Sequence, residues 1–125
     1  MSEMTPSRPY LIRAIYDWIV DNGCTPHVLV NTKLEGVEVP VQYVKDDKII
    51  LNVGPNATQA LVIDNENIHF SARFGGVSTD VKVPTRAVMT IYARETGQGM
   101  VFAEDDDEPK PPQPTPPRPN LRVVK

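Results

Sequence analysis

One cysteine and two histidines leave this 125-residue chain short of the side chains from which metal centres and nucleophilic sites are built. Cys24 stands alone, so a disulfide framework and CxxC metal spacing are both excluded, and a buried inert thiol is its expected role. His27 and His69 are far apart and form no ligand or nucleophile spacing with Cys24; they read as ordinary strand or turn residues. The pattern therefore predicts no catalytic residue, no metal and no cofactor. Long apolar runs are also missing. No stretch approaches the ~20 residues that cross a bilayer, and Met1 to Pro9 lacks the apolar centre of a signal peptide, which predicts a cytoplasmic protein with no membrane partner. Without secretion, the Asn56-Ala57-Thr58 sequon is irrelevant. A net charge of −3 offers no basic footprint for nucleic acid. Gly75-Gly76 lacks the Lys and following helix of a phosphate loop, and Glu104 to Glu108 lacks the spaced Asp and Gly of a calcium loop.

What is present is a body, a linker and an end. Residues 104 to 120 combine Glu104-Asp105-Asp106-Asp107-Glu108 with a proline-rich run from Pro109 to Pro119, a composition that buries too little apolar surface to offset chain entropy. A proline-rich chain stays extended at roughly 3 Å per residue, so this linker holds the end about 50 Å from the body. The end itself, Leu121-Arg122-Val123-Val124-Lys125, is apolar and basic, which suggests a hook for a partner. The body, residues 1 to 103, is long enough for one modest core.

Within the body, Pro9 suits a first helical turn and Gly23 a C-terminal stop, predicting a helix from Tyr10 to Asn22. Its apolar residues cover roughly 240° of the circumference at about 100° per residue, leaving a narrow polar strip of Arg13, Asp17 and Asp21. Asp17 and Asp21 are a turn apart, yet a solvated face explains them better than a catalytic pair. One small sheet does not cover so wide an arc. The surplus around Tyr10, Ala14 and Trp18 needs a second surface, most simply the same helix of another copy.

After Pro26 the pattern turns to short β-rich runs: residues 27 to 33, 37 to 44, 48 to 53, 61 to 63, 68 to 74, 77 to 83 and 88 to 92, divided by Gly, Asp, Asn and Pro. The Gly75-Gly76 pair between alternating runs predicts a tight hairpin. The fold class that follows is mainly β, a small bent sheet or barrel with one packed helix. Such folds have edges where an extended peptide adds main-chain hydrogen bonds. Ala72, between Phe70 and Phe74 on one strand face, leaves a depression between aromatics or else fills a tight core position, and Arg73 on the opposite face suits an acidic ligand group.

Arg8-Pro9-Tyr10-Leu11-Ile12-Arg13-Ala14, Asp21-Asn22-Gly23-Cys24-Thr25-Pro26-His27, Ala72-Arg73-Phe74-Gly75-Gly76, Ile91-Tyr92-Ala93-Arg94-Glu95 and the terminal Leu121 to Lys125 together resemble the stringent starvation protein B (SspB) family. The resemblance implies a non-enzymatic adaptor that binds ssrA-tagged polypeptides and delivers them to the ClpXP protease. It implies a small SH3-like or Sm-like barrel preceded by a helix through which two subunits pair as a homodimer, with Tyr10 and Ala14 at the contact. It further implies a tag groove at Ala72, with Val44, Ala57, Ser71, Arg73 and Phe74 beside it, and docking of Leu121, Arg122, Val123, Val124 and Lys125 on the N-terminal zinc-binding domain of ClpX. Ser71 departs from the Asn often found before Ala-Arg-Phe in the family, and the linker is shorter and richer in proline. Two other classes of function compete: an RNA-binding module on an Sm-like fold, opposed by the near-neutral body, and a proline-rich ligand for an SH3-like partner.

Overall fold

Pro9 lies in the first turn of helix α1 (Arg8–Asp21), where its missing N–H leaves no helical hydrogen bond unmade. At the other end Gly23 adopts φ +73°. This lets the amides of Gly23 and Cys24 turn back onto the carbonyls of Val20 (2.9 Å) and Ile19 (3.0 Å), the paired bonds of a Schellman stop. Ile12 and Ile19 are buried on the inner side of α1, while Tyr10, Ala14, Asp17, Trp18 and Asp21 are exposed. These features belong to a computed structural model that describes residues 4–102. The linker 104 to 120 and the end 121 to 125 lie outside the described residues.

The strands are β1 (Pro26–Asn31), β2 (Lys48–Asn52), β3 (Gln59–Ile63), β4 (Asn67–Phe74), β5 (Val77–Pro84), β6 (Val88–Ala93) and β7 (Gly99–Val101). All pairings are antiparallel and form two sheets, one of four strands in the order β2-β1-β6-β7 and one of three in the order β3-β4-β5. The fold is thus mainly β with one N-terminal helix, as the sequence predicts, and its barrel is open. Alternation supplies the core from both sheets: Val28, Val30, Ile49 and Leu51 from the first meet Ile68, Phe70, Val81 and Val83 from the second. Helix α1 packs against β1 and β6 of one sheet and β3 of the other.

Three expectations need correction. Residues 37 to 44 are not a strand: Pro40 has no N–H to give a ladder, and Val41–Tyr43 forms a 3-10 turn after it. Only Glu38 pairs, exchanging backbone hydrogen bonds of 2.7 and 3.0 Å with Lys82. Strand β7 escaped the sequence reading because it is only three residues long and begins at a glycine. Gly99 is needed there, since a Cβ would stand 2.5 Å from Tyr92 Cα and overlap the Ile91 carbonyl oxygen. Cys24 is half-buried rather than buried.

Two polar ties fix the ends of α1. The buried Arg8 guanidinium donates to the carbonyls of Arg86 (2.8 Å) and Val88 (3.0 Å) and lies 5.2 Å from the centre of the Phe102 ring. Beyond the helix, Glu95 accepts from the Thr25 amide at 2.8 Å and the Thr25 hydroxyl at 2.7 Å, clipping the β6–β7 turn to the α1–β1 connection. Those bonds hold the Glu95 carboxyl at a pKa of about 2, against an ordinary 4.5. A depressed carboxylate stabilises the fold above its unfolded pKa and loses that contribution as pH falls through its folded one, so the window runs from pH 4.5 down to about 2. Glu95→Gln is expected to flatten the acid limb of stability in that window, measured as urea midpoints against pH. Identical limbs in both proteins would remove the clip.

Candidate functional site

Strand β4 pairs with β5 along its whole length, from Asn67↔Pro84 to Phe74↔Val77. On its other side the last partner is Gln59 of β3, opposite Ser71. Ala72, Arg73 and Phe74 therefore have no strand beside them on that edge among the described residues. The reason is local. Between Gln59 and Val62 the β3 register shifts by a bulge, with Ala60 at a left-handed φ of 58°, a conformation that costs a non-glycine residue roughly 1 kcal/mol. Before β3, the chain is drawn into a closed turn: Gly54 N–H donates to Asn52 Oδ1 (2.9 Å), Ala57 N–H to the Gly54 carbonyl (3.0 Å), and Thr58 Oγ1 to the same carbonyl (3.0 Å). A strand that would have continued alongside Ala72–Phe74 is replaced by this turn.

The space between the turn and the strand edge is a cavity of about 580 Å³ lined by Pro55, Asn56, Ala57, Thr58, Gln59, Ser71, Ala72, Arg73 and Ser78. Four residues expected at a peptide groove, Ala57, Ser71, Ala72 and Arg73, are thus brought together. Ala72 is half-buried and packs partly on the core, so its two alternative readings merge: its Cβ touches the core while its strand edge opens to the cavity. Arg73 is exposed and makes no hydrogen bond or ion pair among the described residues, leaving its fork available to a carboxylate. Ser71 is committed, donating to Asp80 Oδ1 across the β4–β5 pair at 2.6 Å. Val44 and Phe74 do not line this cavity. They are half-buried and pack partly against the core.

Phe74 instead meets a residue the sequence reading missed. The Tyr43 ring lies 5.4 Å from that of Phe74 with a 46° tilt, and it stays 47% exposed. Val77, opposite Phe74 at the β4–β5 hairpin, is 64% exposed. Pro40 was the available signal, because it ends any strand there and redirects Val41–Tyr43 into a turn. The hairpin is as expected: Gly75 and Gly76 have φ of 60° and 85°, both positive as a type I′ turn requires.

On α1, Tyr10 and Trp18 are 48% and 47% exposed, with Ala14 on the same side of the helix. Tyr10 is anchored: the Arg13 guanidinium lies 4.6 Å from its ring centre, and its hydroxyl accepts from Asn65 Nδ2 at 3.2 Å. Hydrogen bonding from Thr5, then Asn65, holds the Tyr10 hydroxyl below its ordinary pKa. Arg13 also donates to the Ile63 carbonyl (3.0 Å) and Asn65 Oδ1 (2.9 Å), fastening the helix to the β3–β4 turn.

The histidines and the cysteine are not gathered. His27 sits edge-on to Tyr92 at 5.7 Å, with burial pushing its pKa down, and His69 faces Asp64 at 3.9 Å. Among the described residues no group of three His, Cys, Asp or Glu could hold a metal ion, and no helix is long and apolar enough to cross a membrane.

Comparison with known proteins adds to this geometry. The family model described as stringent starvation protein B matches residues 6–123. A stringent starvation protein B homolog of Haemophilus influenzae is 49% identical over 102 residues, covering 82% of this chain and 68% of that protein. The match takes in the helix, both sheets and the open strand edge, and on that breadth the chain belongs to the stringent starvation protein B family.

Proposed function

We propose that this chain is a cytoplasmic, non-enzymatic adaptor that binds ssrA-tagged polypeptides at the open edge of β4 and hands them to ClpXP through its last five residues. The observation that carries the reading is the unpaired edge at Ala72–Phe74 beside a cavity of about 580 Å³. An extended peptide entering there takes up the line that β3 abandons, gaining main-chain hydrogen bonds from β4 while the cavity receives alternate side chains. Arg73 supplies the charge partner for an acidic tag residue. Membership of an adaptor family supports the same assignment.

Ala72 is the most direct test of the groove. Because it is half-buried at the cavity, a longer polar side chain has room to extend outward rather than into the core. Ala72→Gln is expected to weaken binding of a fluorescent tag peptide by about tenfold or more while shifting unfolding by less than about 1 kcal/mol, below the usual range for overpacking a core. A variant that unfolds early and still binds the peptide would reassign Ala72 to the core.

The exposed stripe of Tyr10, Ala14 and Trp18 supports pairing of two copies through α1. A carboxylate at Ala14 is harmless in a monomer but buried and unpaired in such a dimer, at a cost of about 3–5 kcal/mol. Ala14→Glu should therefore sediment as a folded monomer; persistence of the dimer would place the interface elsewhere.

In this reading residues 1 to 103 carry tag binding and pairing, 104 to 120 are the linker, and Leu121, Arg122, Val123, Val124 and Lys125 dock on the N-terminal zinc-binding domain of ClpX. A dimer presents two such ends, so attachment is bivalent and avidity exceeds single-site affinity. Deleting residues 121 to 125 is expected to leave peptide binding intact and abolish stimulation of tagged-substrate degradation at low substrate concentration. Equal stimulation by the truncated protein would refute the docking role.

A further inference from the structure

A second cavity, of about 420 Å³, lies between α1 and β3 and is lined by Arg13, Tyr16, Asp17, Pro55, Thr58, Leu61 and Ile63. It shares Pro55 and Thr58 with the cavity at the β4 edge, so the two meet across the 54–58 turn. Tyr16, Leu61 and Ile63 give it an apolar wall, half-buried and packed partly on the core. Two charged residues complete the lining from the helix side, and they differ in what they have left to offer. Arg13 gives one hydrogen bond from each terminal nitrogen, to the Ile63 carbonyl and to Asn65 Oδ1, and its guanidinium faces Tyr10. Asp17 is exposed and makes no hydrogen bond or ion pair among the described residues.

We infer that this cavity is an extension of the groove that accepts a basic side chain of the bound polypeptide, its aliphatic stem on Tyr16, Leu61 and Ile63 and its cation at Asp17. The inference rests on the groove reading and adds a specificity that nothing in the tag site itself supplies. Lysine and arginine suit such a place because an apolar stem and a charged head are taken up separately. At about 100° per residue, Tyr16, Arg13 and Asp17 occupy an arc of about 100° on α1, flanking the arc of about 80° spanned by Tyr10, Ala14 and Trp18. The subsite thus runs along the border of the pairing face without using it.

The test uses the full-length protein and a fluorescent tag peptide extended at either end by two lysines or two glutamates. At one end, the lysine form is expected to bind about three- to fivefold more tightly than the glutamate form at low salt, a difference that shrinks as salt is added. Asp17→Asn should erase the preference, Asp17→Lys should invert it, and Asp21→Asn, outside the cavity lining, should keep it. Absence of a lysine preference at both ends, or one that survives Asp17→Lys, overturns the subsite alone. Failure of the unextended peptide to bind overturns the groove and the subsite together. Sedimentation of the Asp17 variants must match the parent; a changed oligomeric state would assign Asp17 to pairing and overturn the inference.

Discussion

The candidate groove depends on a mismatch of strand lengths. β4 continues past its partner β3 to the Gly75-Gly76 hairpin, held on its far side by β5. An open strand edge is ordinarily a liability, because its unpaired main-chain groups recruit other chains. This one is short, recessed behind the 54–58 turn and flanked by the charge of Arg73. The hairpin fixes register, and register fixes faces: with Phe74 opposite Val77, Ala72 must share the inner face with Phe70 while Arg73 points out. A slip of one residue would exchange the small side chain and the charged one.

The helix and the site are not independent parts. Arg13 and Asn65 join α1 to the β3–β4 turn, and the Thr25–Glu95 clip joins the exit of α1 to the β6–β7 turn. The exposed stripe of α1 is therefore held in a set orientation to the edge of β4. In a dimer paired through that stripe, the two grooves would have a defined separation.

Much of this was legible in the sequence because it rests on local rules. Pro9 and Gly23 bracket α1, alternation marks β4 and β5, and two consecutive glycines specify the turn between them. The width of the apolar arc on α1 anticipated the exposed Tyr10 and Trp18. The open edge was not legible, since it follows from where two non-adjacent segments stop pairing, and a bulge at Ala60, an alanine in a conformation that favours glycine, carries no sequence signal. Residues 37 to 44 misled because four valines at alternating or near-alternating positions imitate a strand, and the single Pro40 outweighs them. Val44 and Phe74, which the resemblance implies beside the groove, are half-buried against the core, and Phe74 also meets Tyr43.

Amide hydrogen exchange with and without a saturating tag peptide tests the central claim most directly. An added strand must protect the main chain it pairs with. The amides of Ala72 and Phe74 already bond β5, while that of Arg73 faces the open edge, so the account predicts slowed exchange at the Arg73 amide and in the 54–58 turn, with β2 and β7 unchanged. A peptide that binds tightly while the Arg73 amide exchanges as fast as in the free protein would contradict it.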